Sequence, residues 1–335
     1  MVGIARMAAR SPRLSSKRRV EYFELGAESI LNRCPNPRLP FRWTINPYRG
    51  CELGCTYCYA RYTHEFMGFE NPKDFEEKIY SKAQAGKILG RELRQNPGGS
   101  IAIGTATDPY QPAERIYGTT RSVLETIANF RGLQISVTTK SDLVTRDIDL
   151  LRAISTSNSL RVHITITTLD PGLTRLLEPL APLPELRLAA IRKLADAGLF
   201  VTINTMPVLP GITDSADNLE DVALAGAKAG ARDFHVNMLF LTPSTKKAFF
   251  PFLDVHFPAL AARYRKLYAR GAYLHGPVND RLHSLARRLR GRYFPFHADE
   301  EGNRRSFGLR AQSTLFDARE ARSSASEPYW DFGTE

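Results

Sequence analysis

The chain has 335 residues, a formal net charge of +11 and four cysteines. That length suffices for one large α/β barrel with a buried core, and the lack of any run of about 18 apolar residues argues against a transmembrane helix. The opening MVGIARMAARSPRLSSKRRV is basic and has no apolar stretch of the kind a secretory signal needs. It reads as a disordered basic arm over 1–20, although its Arg- and Ser-rich, acid-free composition also loosely resembles an organelle presequence.

A lead-in segment covers 21–40. Short runs rich in β-branched or aromatic residues then read as strands: FRWTI (41–45), SIAIGTA (100–106), LQISVTT (133–139), LRVHITITT (160–168), LFVTINTM (199–206) and DFHVNMLFL (233–241). Helical patterns separate them. SKAQAGKILGRELRQ precedes the second strand, and TTRSVLETIANF opens with Thr119 or Thr120 as N-cap. RDIDLLRAIS, PELRLAAIRKLADAG and SADNLEDVALAGAKAG follow, with Gly198 and Gly230 where helix C-termini belong. Repeated β-α units predict an α/β fold, a partial TIM barrel of about six units with its site at the C-terminal ends of the strands. The barrel is expected over 41–245, a helical C-terminal extension over 246–310 and a flexible tail over 311–335.

Six of the positive charges, Arg6, Arg10, Arg13, Lys17, Arg18 and Arg19, sit in the arm, which leaves the body only mildly basic. A second group lies in RLHSLARRLRGRYFPFH: Arg281, Arg287, Arg288, Arg290 and Arg292, beside Tyr293, Phe294 and Phe296. Basic side chains next to aromatic ones suit the backbone and bases of DNA or RNA. The same segment also fits a solvated amphipathic helix, since Leu282, Leu285 and Leu289 recur at helical spacing.

The run NPYRGCELGCTYCYAR places Cys51, Cys55 and Cys58 in the spacing C-x3-C-x2-C, on the loop after the first strand. Three thiolates on one loop can hold three corners of a cubane iron–sulfur cluster; such clusters normally take four cysteines, so one iron stays open for a ligand. A structural zinc site wants a second pair of ligands, and the remaining cysteine is Cys34, before the motif, with His64 the nearest histidine after it. Disulfides among such close cysteines would staple nothing. Clustered free thiols suit a reducing compartment, so the cytoplasm is the expected location.

With these residues in hand, the chain resembles the spore photoproduct lyase-like radical SAM proteins, often labelled DNA repair photolyases. The resemblance spans roughly residues 40–245 and rests on PFRWTINPYRGCELGCTYCYAR, GTATDPYQPAE, TTKSDLVTRDIDLL, ITITTLD with a following LEP, and MPVLPGITD. It implies a 4Fe–4S cluster on Cys51, Cys55 and Cys58 whose free iron chelates the amino and carboxylate groups of S-adenosylmethionine (SAM). It also implies reductive cleavage of SAM to a 5′-deoxyadenosyl radical that abstracts hydrogen from a substrate, with electrons from an external donor of the flavodoxin or ferredoxin type. Lys140, ending the third strand, is expected to pair with the SAM carboxylate. Further cofactor-binding candidates are Tyr57, Thr107, Asp108, Ser141, Thr165, Thr167, Arg187 and Asn204. Asp108, with Tyr110, sits on a loop stiffened by Pro109 and Pro112, where it can hold a ribose hydroxyl or cap a turn. Thr165 and Thr167 alternate and so share a face. Glu178 and Arg187 flank APLP and can pair with each other or bind cofactor. Asn204 precedes the stiff turn PVLPG (207–211).

Tyr57 and Tyr59 match tyrosines suspected of relaying the radical in the lyase and are the catalytic candidates. The chain departs from the lyase in having no cysteine after Cys58, where the lyase is expected to keep its hydrogen donor. Three functions stay open: a radical SAM enzyme acting on nucleic acid, one acting on a small molecule or protein, and a non-catalytic iron–sulfur protein.

Overall fold

The structure is a computed structural model and describes residues 3–17, 19–37, 39–95 and 98–294. Its strands, in chain order, are β1 (Arg13–Lys17), β2 (Val20–Leu25), β3 (Asn32–Arg33), β4 (Trp43–Ile45), β5 (Tyr48–Arg49), β6 (Lys78–Lys82), β7 (Ser100–Ile103), β8 (Gln134–Thr139), β9 (Ser159–Thr165), β10 (Val201–Val208) and β11 (Asp233–Met238). The larger sheet runs β11-β10-β9-β8-β7-β4-β3. Its six strands from β4 to β11 are mutually parallel, and β3 lies antiparallel on the outer side of β4. All six strands expected from the sequence are present, in sequential order, as an open β/α barrel.

The pattern of side chains explains why this sheet forms. Ile135, Val137, Val162, Ile164, Val201 and Ile203 are fully buried. One such side chain contributes about 1.5–3 kcal/mol on burial. The crossover helix Ala216–Lys228 closes onto Ile203 at Gly226, where a Cβ would stand 2.8 Å from the isoleucine side chain. Successive residues point to opposite faces, so Ser136, Thr138, His163, Thr165, Thr202, Asn204 and His235 project to the other side of the sheet, the barrel interior. Gly198 and Gly230 follow the helices Pro184–Asp196 and Ala216–Lys228 at positive φ, as expected.

Several local readings differ from the sequence expectation. The helix Thr119–Ile127 takes Gly118 as its N-cap, not a threonine, because the Glu114 carboxylate already accepts from the backbone N–H groups of Thr120 (2.7 Å) and Arg121 (3.1 Å). β10 continues to Val208, so Pro207 and Val208 belong to the strand. In the arm, Gly3–Arg10 is helical and β1 pairs antiparallel with β2. The helix is held because Ile4, Met7 and Ala8, at helical spacing, pack with Leu25, Met67 and Tyr80. Arg18 lies outside the described residues.

A second sheet, β1-β2-β6-β5, escapes the sequence reading altogether. Its β6 occupies the start of a segment read as helix, where the true helix is Ala85–Arg94. Beyond β11, the extension is helical over Pro243–His256, Pro258–Leu267 and Pro277–Tyr293; the tail over 311–335 and residues 295–310 lie outside the described residues. Among the described residues, no helix is long and apolar enough to cross a membrane.

Candidate functional site: a three-cysteine loop at the barrel mouth

The three-cysteine loop leaves β5 through Gly50, which turns at φ +79°. A Cβ there would stand 2.7 Å from the Lys78 carbonyl and 2.9 Å from that of Phe75. Backbone bonds then pin the loop on several sides. Cys51 N donates to Phe75 O (2.9 Å), and Thr56 N to Leu177 O (2.9 Å). The Gly50 carbonyl accepts from Thr107 Oγ1 (2.6 Å) and Gln111 Nε2 (3.1 Å). Glu52, buried on the loop itself, accepts from Tyr22 Oη (2.8 Å) and Ala113 N (2.7 Å). Arg61 donates to Cys55 O (2.9 Å) and to Glu76. From the far side, Thr245 Oγ1, on the helix Pro243–His256, donates to Cys58 O (3.3 Å). The loop is thereby fixed before any ligand arrives.

Cys51 and Cys55 are buried and Cys58 is half-buried, all as free thiols. Burial is the main force raising each thiol's pKa, to about 12 for Cys55; Asp108 and the other two thiols add to it at Cys51, while Lys140 opposes it at Cys55, and Arg61 and Lys140 oppose it at Cys58. The three sulfurs therefore share one neighbourhood. Among the described residues, no three His, Cys, Asp or Glu side chains gather around a point as a single metal ion requires. A cubane takes one thiolate at each iron corner instead, so separated thiols on one loop fit a cluster better than a zinc ion. Iron in place of the protons would remove the cost of a buried thiolate.

Beneath the loop lies a buried polar floor. Tyr57 donates its hydroxyl to Glu178, and Glu178 pairs with Arg187; Arg187 is 1 % exposed and Glu178 is fully buried. Thr167 Oγ1 also donates to Glu178 (3.3 Å), while Arg187 donates to the carbonyls of Pro182 (2.7 Å) and Thr165 (3.0 Å). Burial opposes the Glu178 charge, but Arg187 and Lys140 outweigh it and hold the carboxyl below its ordinary value. The Lys140 ammonium lies 5.6 Å from the centre of the Tyr57 ring. Burial disfavours its charge too, yet Cys55 and Glu178 overcome this and raise its pKa. Lys140 thus presents a fixed positive charge toward the thiols.

The structure sorts the expected cofactor contacts into two groups. Thr165 and Asn204 lie in register on adjacent strands and face the barrel interior, Lys140 lies over the Tyr57 ring, and Tyr57 and Thr167 already give their hydroxyl protons to Glu178. Thr107, Asp108, Ser141 and Arg187 use their polar atoms within the scaffold. Asp108 accepts from Thr139 Oγ1 (2.6 Å), Tyr110 N (2.9 Å) and Lys140 N (2.7 Å), so its carboxylate positions the backbone of Lys140. Ser141 caps the turn that follows by accepting from Leu143 N (3.2 Å). Tyr59 donates to the Thr105 carbonyl and faces Tyr62 and Phe240. Cys34 is buried, and its N–H donates to Arg42 O (2.8 Å).

The basic segment over 281–292 is the amphipathic helix Pro277–Tyr293, with Leu282 and Leu289 buried. Arg290 binds Asp233 with two bonds (2.6 and 2.8 Å), and Arg292 and Tyr293 both meet Glu220 (2.7 and 2.5 Å). Phe294 is buried and stacks on Phe234. These groups are thus committed within the fold, which leaves Arg281, Arg287 and Arg288 as its basic face; Phe296 lies outside the described residues.

The fold is thus an open β/α barrel with three free thiols on the loop that follows its first strand. Residues 45–223, more than half of the chain, match the Radical SAM superfamily. The chain belongs to that superfamily. Uncharacterized proteins of Mycobacterium tuberculosis and Mycobacterium bovis are 35% identical to it over 295 residues, which is 87% of this chain and 85% of theirs. An uncharacterized protein of Methanocaldococcus jannaschii is 28% identical over 196 residues, 58% of this chain and 71% of its own. Among solved structures, a spore photoproduct lyase mutant with bound AdoMet and dinucleoside spore photoproduct superposes with a TM-score of 0.64. It covers 82% of this chain and 80% of its own at 16% identity, a likeness of fold.

Proposed function

We propose that the protein is a radical SAM enzyme in which Cys51, Cys55 and Cys58 hold one 4Fe–4S cluster. The cluster, with SAM bound, would supply the electron that cleaves SAM reductively to a 5′-deoxyadenosyl radical for hydrogen abstraction from a substrate. The observation that carries this reading is the set of three free thiols on one pinned loop, facing the Lys140 ammonium above the Glu178–Arg187 pair. Lys140 would hold the SAM carboxylate, a charge-assisted contact in a site largely closed to water. Glu178 fixes Tyr57 beside it, and Asp108 fixes the backbone from which Lys140 projects. Thr165 and Asn204 offer a hydroxyl and an amide to the rest of the cofactor, and Thr167, whose hydroxyl donates to Glu178, can offer its oxygen only as an acceptor. Tyr57 and Tyr59 are the candidates for returning a hydrogen to the substrate radical, since no cysteine follows Cys58. The reading includes an external electron donor of flavodoxin or ferredoxin type, a cytoplasmic location and a lyase-like reaction on nucleic acid; a small-molecule or protein substrate is the alternative.

Anaerobic reconstitution tests the proposal. Cys51→Ala should abolish the visible cluster absorption and Cys34→Ala should leave it intact. The reconstituted wild type should form 5′-deoxyadenosine from SAM and a strong reductant. Equal iron loss in both variants would overturn the ligand assignment, and absence of 5′-deoxyadenosine would overturn the enzymatic reading.

A further inference from the structure

The small sheet brings two cations together beside the cluster loop. β5 and β6 pair antiparallel, with Arg49 opposite Tyr80. Alternation then puts Arg49, Tyr80 and Lys82 on one face, with Arg49 and Lys82 as diagonal neighbours. Lys82 is 7 % exposed and Arg49 is half-buried. Among the described residues neither makes an ion pair or a side-chain hydrogen bond, and Arg49 Nε is buried without a partner. The carboxylate facing Lys82 is that of Glu92, and it is already bonded to Ser29 Oγ (2.5 Å), Ile30 N (3.1 Å) and Leu31 N (3.1 Å). Burial, and then the charge of Arg49, pulls the Lys82 pKa down to about 7. Two neighbouring cations, Lys82 buried and Arg49 half-buried, repel each other when neither has a bonded counter-charge, and an anion reaching both would relieve that repulsion.

The helix Tyr62–Glu65 packs on the face that carries Arg49 and Tyr80, its His64 ring 6.1 Å from that of Tyr80. Tyr62 lies close enough to Arg49 for each to sense the other's charge. From Tyr62 the rings continue to Phe66 (5.4 Å between centroids) in one direction. In the other they pass to Tyr59 (6.5 Å), Phe240 (6.0 Å from Tyr59) and Tyr273 (4.2 Å from Phe240). Phe66 is 52% exposed and Tyr59 36%, so the row has open faces, and Tyr59 adjoins the ligand cysteine Cys58.

We propose that Arg49 and Lys82, walled by Tyr62, form an oxyanion subsite for one phosphate of a nucleotide-type ligand whose base stacks along Tyr62, Tyr59 and Phe240. The guanidinium fork suits two phosphate oxygens and the ammonium a third. A peptide carboxylate would satisfy the cations but leave the aromatic row without a flat partner, so the rings favour a base-bearing phosphate. The inference rests on the radical SAM reading of the neighbouring loop and assigns a substrate class to that site.

The test is equilibrium binding of a fluorescent oligothymidylate to the full-length protein, beside the same oligomer with an uncharged methylphosphonate backbone. The wild type should prefer the charged backbone, and Lys82→Met and Arg49→Gln should each weaken its binding about tenfold. The methylphosphonate should bind as weakly as the charged oligomer binds the variants, with no further loss on substitution. Inorganic phosphate should raise the unfolding temperature of the wild type and not of Lys82→Met. Lys82→Met should itself unfold no earlier than the wild type, because it removes an unpaired buried charge. Equal affinity for both backbones, or marked destabilisation by Lys82→Met, would overturn the subsite. Competition by an acidic peptide at lower concentration than by unlabelled oligonucleotide would replace phosphate with carboxylate and likewise overturn it. If SAM is cleaved and the backbones are not distinguished, only the subsite falls. If the backbones are distinguished and SAM is never cleaved, the enzymatic reading falls and the subsite stands.

Discussion

Glu178→Gln removes one charge from the floor of the site and keeps its shape. Arg187 is 1 % exposed and Glu178 fully buried, so the guanidinium would lose its counter-charge and keep only neutral acceptors, the Gln amide oxygen and the Pro182 and Thr165 carbonyls at 2.7 and 3.0 Å. Breaking one side of a buried ion pair costs about 3–5 kcal/mol. A large domain loses about 2–4 °C in Tm for each kcal/mol, so the melting temperature should fall by roughly 10 °C. Urea unfolding of the metal-free protein should report the same loss as a lower midpoint at unchanged slope. The double variant Glu178→Leu with Arg187→Met removes both charges and should recover much of the stability, since well-packed apolar residues often replace a buried pair without loss. A Glu178→Gln protein within about 1 kcal/mol of wild type would refute the reasoning. So would a double variant less stable than the sum of its singles.

Three further outcomes are expected. If the Lys140 ammonium holds the SAM carboxylate, Lys140→Ala should weaken SAM binding by about 1.5–3 kcal/mol and leave cluster absorption unchanged; an unaltered Kd would remove Lys140 from the site. Gly50→Ala sets a Cβ 2.7 Å from the Lys78 carbonyl at positive φ and should cost about 1–3 kcal/mol and impair iron uptake. Gly26→Ala, where a Cβ meets nothing within 4 Å, is its neutral control in the same unfolding and iron assays. His64 is 2% exposed, and burial lowers its pKa from 6.5 to about 4. Between those values the unfolded chain binds a proton that the folded chain does not, so stability falls as pH drops through that window, by up to about 1.4 kcal/mol per pH unit. His64→Gln should flatten this slope in urea titrations at successive pH values, and an unchanged slope would show that His64 does not set it.

The order of strands and helices and the three-cysteine loop were legible in the sequence because both depend on local pattern. A β-branched run between helical periods reads as a buried parallel strand wherever its neighbours lie, and C-x3-C-x2-C places three thiols on one loop whatever surrounds it. What each polar side chain does was decided only by packing. Thr107, Asp108, Ser141 and Arg187 look from the sequence like groups available to a ligand. In the fold their partners come from the cluster loop, the end of β8, the turn after it and the Glu178 carboxylate, contacts set by how the strands and their loops pack together. The second sheet was hidden for a related reason. β1, β5 and β6 are short and β1 is exposed, so none carries enough periodicity alone, and they become strands by pairing, β1 and β6 on either side of β2 and β5 on β6. The same pairing sets Arg49 beside Lys82 across 33 positions of chain, a juxtaposition no local pattern encodes. Sequence thus determined the kind of chemistry through residue type and spacing. The tertiary structure decided which side chains remain free for it, because a buried polar atom goes to whichever partner folding brings within reach.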